Sequence, residues 1–440
     1  MALASLYVFR MLGLFMVLPV LMLYGDSYRG STPLLLGMAL GAYGFSQALL
    51  QIPFGMLSDR WGRKPVIAAG LVIFAAGSVL AAMSESVYGL IAGRVLQGAG
   101  AIAAAVMALV TDLTADENRT KAMATIGASI GVSFALALVL GPVLAGIGGL
   151  SLIFWVTAGL ALMGLGVLFW RVPKVAHTSA RHEVQAVPAL LGRTLRNVEL
   201  VRLNVGIFTL HLVLMASFVV LPGVLEEMGV IRERHWWIYL PLLAGSFIAM
   251  LPLMILAEKR RQIKPVFVAA VLLLGVALAW LTWMPIGLPG LLLGLFAFFM
   301  AFNLLEAMLP SLVSRQAPVG AKGTATGIYS SSQFLGAFAG GAAGGALLQW
   351  QGEVVVWLLA VLMVGVWFVV ALPMRQPRIL VSMMVPLPPQ SAADSLRARL
   401  LAQEGVEEVL VVESEDMIYL KLDPARVERA RIRELVQQGS

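Results

Sequence analysis

Twelve stretches of the chain are long and almost wholly apolar. With soft edges they run at about 3–25, 33–56, 65–84, 87–113, 121–147, 150–172, 200–225, 235–257, 264–284, 287–313, 323–348 and 353–373. A helix needs about 20 such residues to cross the hydrocarbon of a bilayer. Barrel strands would instead alternate apolar and polar positions over about ten residues, and these runs do not alternate. The pattern therefore predicts an all-α membrane protein of twelve transmembrane helices. The first run is too long for a cleavable signal, and polar Tyr24–Asp26 reads as the end of a helix.

The polar gaps between the runs give an orientation. If the gap between runs 2 and 3 faces the cytoplasm, the inner gaps hold Arg60, Arg63, Lys64, Arg119, Lys121, Arg171, Lys174, Arg181, Arg193, Arg196, Arg202, Lys259, Arg260, Arg261, Lys264, Arg315 and Lys322. The outer gaps hold only Arg29, Arg232 and Arg234. Lys and Arg accumulate on the cytoplasmic side, so both termini are expected there. The longest internal gap, 173–199, divides the helices six and six. Asp59-Arg60-Trp61-Gly62-Arg63-Lys64-Pro65 has a weak echo in Lys259-Arg260-Arg261-Gln262-Ile263-Lys264-Pro265, 200 residues later. Two similar halves are the mark of a duplicated transporter. The expected organisation is a six-helix bundle at 1–172, a central cytoplasmic loop at 173–199, a second bundle at 200–373, and a linker with a small cytoplasmic domain at 374–440.

The tail is patterned differently. Ile379–Val385 reads as a strand and Ala392–Gln403 as an amphipathic helix. Val406–Glu413 and Met417–Leu422 read as a hairpin, and Pro424–Gln437 as a last helix. The order β-α-β-β-α predicts a small α+β module of ferredoxin-like type. It carries no Cys-x-x-Cys, so a metal-carrying role has no support, and its ligand or partner is unknown.

Composition narrows the function. Of the 440 residues, 60% are hydrophobic and 12% charged, with no Cys and four His. A soluble domain carries about 25% charged residues. A single soluble globule, a disulfide scaffold, a structural zinc site and an iron–sulfur cluster are all disfavoured. The net charge of +7 is accounted for by basic loops and gives no reason to invoke nucleic acid. No Gly-x-x-x-x-Gly-Lys-Ser/Thr loop and no Ser/His/Asp set is present, so the expectation is a non-enzymatic transporter without cofactors, driven by an ion gradient. The 22 Met and 37 aromatic residues suit an adaptable, greasy cargo cavity, though most will simply pack or face lipid.

Ionisable and polar residues inside apolar runs are the candidates for chemistry, because they are costly there. Glu306, mid-way along the tenth run with Asn303 at i−3, either carries protons or substrate, or makes a structural hydrogen bond. Arg10 either reaches a central cavity or an acid, or snorkels to the inner surface about two turns away. Arg94, with Gln97 at i+3, either couples protons or bonds backbone carbonyls of the first helix. His211 either titrates or packs. Tyr43, Gln47 and Gln51 recur every four residues and form one stripe, facing a cavity or neighbouring helices. Gly336, Gly340, Gly341, Gly344 and Gly345 make small-residue faces for helix packing. In Gly55-Met56-Leu57-Ser58-Asp59-Arg60-Trp61-Gly62-Arg63-Lys64, Gly55 would allow close helix approach and Gly62 a tight turn. Asp59 would pair with Arg63 or face a helix N-terminus.

That last segment resembles motif A of the major facilitator superfamily, G-x-L-x-D-x-x-G-R-K. Arg94-Val95-Leu96-Gln97-Gly98 resembles motif B. Gly141-Pro142, with Gly146, resembles motif C of the antiporter branch, although Ala128, Ala137 and Ala145 stand where glycine is usual. Phe302–Leu312, Lys322–Ala325, Ser332–Gly336 and the tail are similar to one bacterial inner-membrane subgroup. The resemblance covers all twelve helices. It implies the major facilitator fold, alternating access in the bacterial inner membrane as a monomer, and proton-coupled efflux of a small hydrophobic or cationic compound. It also implies a conformational lock in which Asp59, Arg63 and Asp112 form a charge relay, Arg60 and Lys64 flank it, and Asp59 faces the eleventh helix near Gly323–Thr324. The remaining readings are a small-nutrient importer and a transporter-like sensor controlled through the tail.

Overall fold

The computed structural model describes residues 2–114, 119–173, 192, 194–283, 287–318, 321–376, 381–388, 393–412, 417–423, 426–427, 431–432 and 435–436. All twelve apolar runs are helical. We label them spans 1–12: Ala2–Phe15 with Leu21–Tyr24 (span 1), Pro33–Trp61 (2), Arg63–Met83 (3), Val87–Ala99 with Ala103–Leu113 (4), the two arms of Arg119–Trp170 (5 and 6), Val198–Glu227 (7), Trp236–Lys259 (8), Ile263–Trp283 (9), Gly287–Gln316 (10), Lys322–Gln351 (11) and Glu353–Ala371 (12). Among the described residues nine helical stretches are long and apolar enough to cross a membrane by themselves. The remainder of the twelve come from three departures. Span 1 is shortened by a break, span 11 is diluted by glycine, and spans 5 and 6 form one run that reverses at Gly148–Gly149. Much of the expected central loop, and most of the last tail helix, lie outside the described residues.

Local chemistry explains the helix ends. Thr32 caps span 2, its hydroxyl accepting from Leu35 N–H, with Pro33 in the first turn where a missing N–H costs nothing. Asn197 caps span 7 by accepting from Glu199 and Leu200 N–H. Gly62, at φ 92°, makes the turn between spans 2 and 3.

Two runs expected to be continuous are broken. Span 1 loosens into turns at Met16–Val20, where Pro19 lacks the N–H that an α-helix needs. Span 4 opens at Gly100, between its two helices, and the Gly100 carbonyl there accepts from Ile102 N–H at 2.8 Å and also from a side chain. Both breaks lie beside close helix contacts. A Cβ on Gly141 would overlap the Met16 carbonyl oxygen, and one on Gly98 would overlap Ser46 and the Tyr43 carbonyl.

The two halves meet along a seam between spans 2 and 11. A Cβ on Gly37 would fall within the van der Waals shell of the Gly341 carbonyl oxygen, and one on Gly41 would lie 2.8 Å from Phe338 Cα. Leu34 N–H donates to Gln349 Oε1 at 3.2 Å, and Arg232 Nη1 to the Leu23 carbonyl at 3.2 Å. These contacts lie toward the end opposite Arg60–Lys64, and the seam continues toward that basic end, where Ser331 Oγ donates to the Ala48 carbonyl at 3.1 Å.

The tail forms β1 (Val381–Pro386), a helix Ala393–Leu401, β2 (Val406–Val412) and β3 (Met417–Leu422), with sheet order β1-β3-β2 and both pairings antiparallel. Ile418, Leu420 and Leu422 point into a core with Leu396, Leu400, Ile432 and Val436. Side chains alternate along a strand, so Tyr419 and Lys421 face the other way. They are nevertheless buried, at 5% and 7% exposure. Part of what covers this face is the basic end of span 10: Lys421 Nζ donates to the Arg315 carbonyl at 2.9 Å and the Ala317 carbonyl at 2.5 Å. The lysine thus caps the C-terminus of a membrane helix, where a cation is favoured.

Burial pushes the Lys421 ammonium below the ordinary lysine value. Lys322 adds to the fall and Glu408 opposes it. The docked lysine therefore holds its proton less tightly than a free one. Docking is expected to tighten as pH rises from the docked value toward the ordinary lysine range. Lys421→Ala removes two hydrogen bonds from a charged donor, each worth about 1.5–3 kcal/mol. Faster hydrogen exchange at 315–317, with the tail's own sheet still protected, is the expected result.

Candidate functional site

Two polar clusters lie in the membrane-spanning part, one in each half. The first joins spans 7, 10 and 11. Gln333 Nε2 sits 2.8 Å from His211 Nε2 and donates to Glu306 Oε1 at 3.3 Å. His211 Nε2 is 3.9 Å from Glu306 Oε2, and Oε2 is occluded without a hydrogen-bond partner. One amide thus bridges a carboxylate and an imidazole, and a proton on either would redistribute the hydrogen bonds among all three. Tyr329, one turn from Gln333, is buried with an unpartnered hydroxyl in electrostatic reach of Glu306. Glu306 and His211 are separate candidates in the sequence, and the fold brings them together. Asn303 departs from them: its amide donates to Ser246 on span 8 at 3.1 Å. Sequence reasoning misses Gln333 and Tyr329 as site residues. Their signal is a Tyr–Gln pair at i,i+4, the same spacing as Tyr43–Gln47 on span 2.

The second cluster joins spans 1, 2 and 4. Arg10 is 2% exposed; its Nη2 donates to Tyr43 Oη at 2.8 Å, Gln47 Oε1 at 2.6 Å and the Gly100 carbonyl at 3.1 Å. It neither snorkels nor meets an acid in these contacts. Gln47 Nε2 donates onward to Gln51 Oε1 at 2.6 Å, so the Tyr43–Gln47–Gln51 stripe is one hydrogen-bonded chain. The Tyr43 ring lies near two guanidinium groups, 6.0 Å from Arg10 and 5.4 Å from Arg94.

Arg94 is held differently. Its Nε donates to the Ala39 carbonyl at 3.2 Å, Nη2 to the Leu40 carbonyl at 3.5 Å and Nη1 to Gln97 Oε1 at 2.8 Å. Gln97 in turn donates to Ser78 at 2.8 Å. The expected backbone partner is span 1; the carbonyls come instead from span 2, because Gly98 lets span 4 lie directly on it. In this state Arg94 fastens spans 2 and 4.

At the basic end Arg63 bridges two acids. Its Nη1 donates to Asp59 Oδ1 and to Ser58 at 2.7 Å, and its Nε to Asp112 Oδ2 at 3.1 Å. Lys64 donates to the Val172 carbonyl at the end of span 6, and Arg60 is exposed. Gly55 is not needed for close approach, since a Cβ there would meet Ala104 at an ordinary 3.5 Å. At the far end Gly141 abuts the break in span 1, beside Pro142, while a Cβ on Gly146 would lie 3.2 Å from Glu233 of the other half. Among the described residues no group of three or more His, Cys, Asp or Glu is placed to hold a metal ion.

These features have known counterparts. Residues 3–252 match the Major Facilitator Superfamily, and residues 383–438 match the YajR YAM domain. The chain belongs to the Major Facilitator Superfamily. It is 46% identical to the inner membrane transport protein YajR of Escherichia coli (strain K12), over 99% of this chain and 96% of that one. An uncharacterized transporter of Buchnera aphidicola subsp. Acyrthosiphon pisum is 35% identical over 76% of this chain and 86% of its own. Among solved structures, a bacterial homologue of the human lysosomal transporter Spinster, inward-facing and unoccupied, superposes with a TM-score of 0.68 at 15% identity, covering 84% of this chain and 95% of that one. The chain is therefore a membrane transporter of the Major Facilitator Superfamily. Its two clusters flank the interface between the halves: Tyr43 packs edge-on against Phe334 of span 11 at 6.2 Å, next to Gln333.

Proposed function

We propose that this superfamily member is a proton-coupled exporter of small organic compounds, working by alternating access. The observation that carries this reading is the Glu306–Gln333–His211 cluster. A carboxylate in a membrane interior usually marks an ion or substrate pathway. Here it shares one amide with an imidazole, so loading a proton changes which partner each group holds. The basic end is taken as cytoplasmic, by the excess of Lys and Arg. The contacts between spans 2 and 11 toward the far end then lie on the outer side, and they are proposed to part when that side opens. A proton arriving from outside would reach Glu306, and its release inward would return the transporter for another cargo molecule. Of the cargo classes expected from the sequence, hydrophobic compounds suit the Met- and Phe-rich interior.

The test uses everted membrane vesicles with an imposed proton gradient. Addition of a true cargo should release protons from vesicles holding the native chain and not from those holding the Glu306→Gln variant. Equal release from both overturns the proton role. Cargo moving only inward in whole cells would favour an importer.

Asp59, Arg63 and Asp112 are proposed to set state populations and not to touch cargo. In Asp59→Asn the amide loses its ionic hold on Arg63. We expect a single cysteine placed at the basic end of span 11 to label about two- to tenfold faster, the range of a 0.5–1.5 kcal/mol contact. An unchanged labelling rate would remove the lock from the mechanism. The tail domain is proposed to be regulatory, because its Lys421 grips the end of span 10 immediately before span 11. Deleting 386–440 should leave basal flux intact and abolish its regulation; loss of all flux would contradict this.

A further inference from the structure

We infer that the cargo of this transporter carries an acidic group, held by Arg10 between spans 1, 2 and 4. The inference rests on the transporter reading and names the substrate class of the same interior. Arg10 is almost wholly buried, yet its Nε and Nη1 have no hydrogen-bond partner. The acceptors it does have are a phenol, an amide and a backbone carbonyl, all neutral. Arg94 lies 5.4 Å from the Tyr43 ring and also bonds only neutral groups. The described acidic residues of the first half, Asp26, Asp59, Glu85 and Asp112, lie at or beyond the ends of its spans, and Asp116 and Glu117 fall in sequence between spans 4 and 5. Two buried guanidinium groups therefore share an interior to which the described residues of their own half contribute no carboxylate.

Burying a charge without a counter-charge is expensive, and unsatisfied donors add to the cost. The Tyr43 ring offsets part of this through its face. A cationic cargo would have to displace that arrangement against repulsion from both arginines. A carboxylate would supply the missing charge and the missing acceptors together, since guanidinium groups bind carboxylates through charge-assisted hydrogen bonds. The cluster borders the seam between the halves, where Tyr43 packs against Phe334. This replaces the cationic cargo expected from the sequence. A hydrophobic body with one acidic group fits both the apolar interior and Arg10.

The test compares the native full chain in detergent with Arg10→Met and Arg10→Lys. Each is melted alone, with benzoate, and with benzylammonium at the same ionic strength. Benzoate should raise the native midpoint saturably, and benzylammonium should not. The benzoate affinity should fall at least about tenfold in Arg10→Met, the loss of one charged hydrogen bond. It should be partly kept in Arg10→Lys. A benzoate effect no larger than that of benzylammonium overturns the inference, as does one that survives in Arg10→Met. The proton reading is judged separately, by proton release from vesicles, so either can fail alone.

Discussion

Glu306→Gln is expected to uncouple the transporter without unfolding it. Glutamine keeps the shape and the hydrogen bond to Gln333, whose amide lies 3.3 Å from Glu306 Oε1, but it cannot take up a proton. One pH unit is worth about 1.4 kcal/mol per proton, enough for about a tenfold cargo gradient. In proteoliposomes with a one-unit gradient, the native chain should build about that ratio for each coupled proton, and the variant should stay near unity. Exchange of labelled for unlabelled cargo at zero gradient should continue, since it needs only the cargo-bound half of the cycle. A variant that still accumulates cargo against its gradient would rule Glu306 out as the proton carrier. His211→Gln removes the second titratable group of the cluster and should change the pH dependence of flux more than its maximum.

Valine in place of Gly37 and valine in place of Gly340 should give opposite phenotypes. Gly37 faces Gly341 and Gly345 across the seam between the halves, where a Cβ would meet backbone. Gly340 faces the Leu212 carbonyl of span 7, within the second half. Side chains forced into tight packing cost about 1–3 kcal/mol. At Gly37 that cost falls on one conformational state only, because the seam parts in the alternate state. The population should move about five- to a hundredfold toward the state open at the far end. The chain has no cysteine, so Leu34→Cys supplies a unique label. An impermeant maleimide should reach it faster by that factor when Gly37 is valine. At Gly340 the same cost falls on every folded state. Gly340→Val should lower yield and melting temperature and leave Leu34→Cys labelling as it was. Equal labelling in both variants would show that the seam does not gate the far end.

Much of this molecule is legible in its amino-acid sequence alone. The twelve helices follow from hydrophobic runs, because a bilayer leaves the backbone few other ways to satisfy its hydrogen bonds. The tail's order of elements follows from alternating positions around Glu415–Asp416. Gly62 announces a tight turn, and its φ of 92° is one. Glu306, His211, Arg10 and Arg94 stand out because charge inside apolar sequence is rare and costly. Which of them meet is not legible in the same way. Gln333 bridges His211 and Glu306 across 122 residues of chain on one side and 27 on the other, and no local period encodes such a contact.

The sequence by itself determined the solvent this chain folds in, the number of its spans, the family it belongs to and the list of its interior charges. These depend on composition and on spacing along the chain. Only the tertiary structure decided how those charges are satisfied. It occupied Arg94 with carbonyls of span 2, left two nitrogens of Arg10 without acceptors, and put Lys421 on the end of span 10. The reason is physical: a side chain's partners are set by helix approach, and that approach turns on single glycines and broken turns, such as Gly98, Gly100 and Met16–Val20. Their effect appears only when neighbouring helices are brought together.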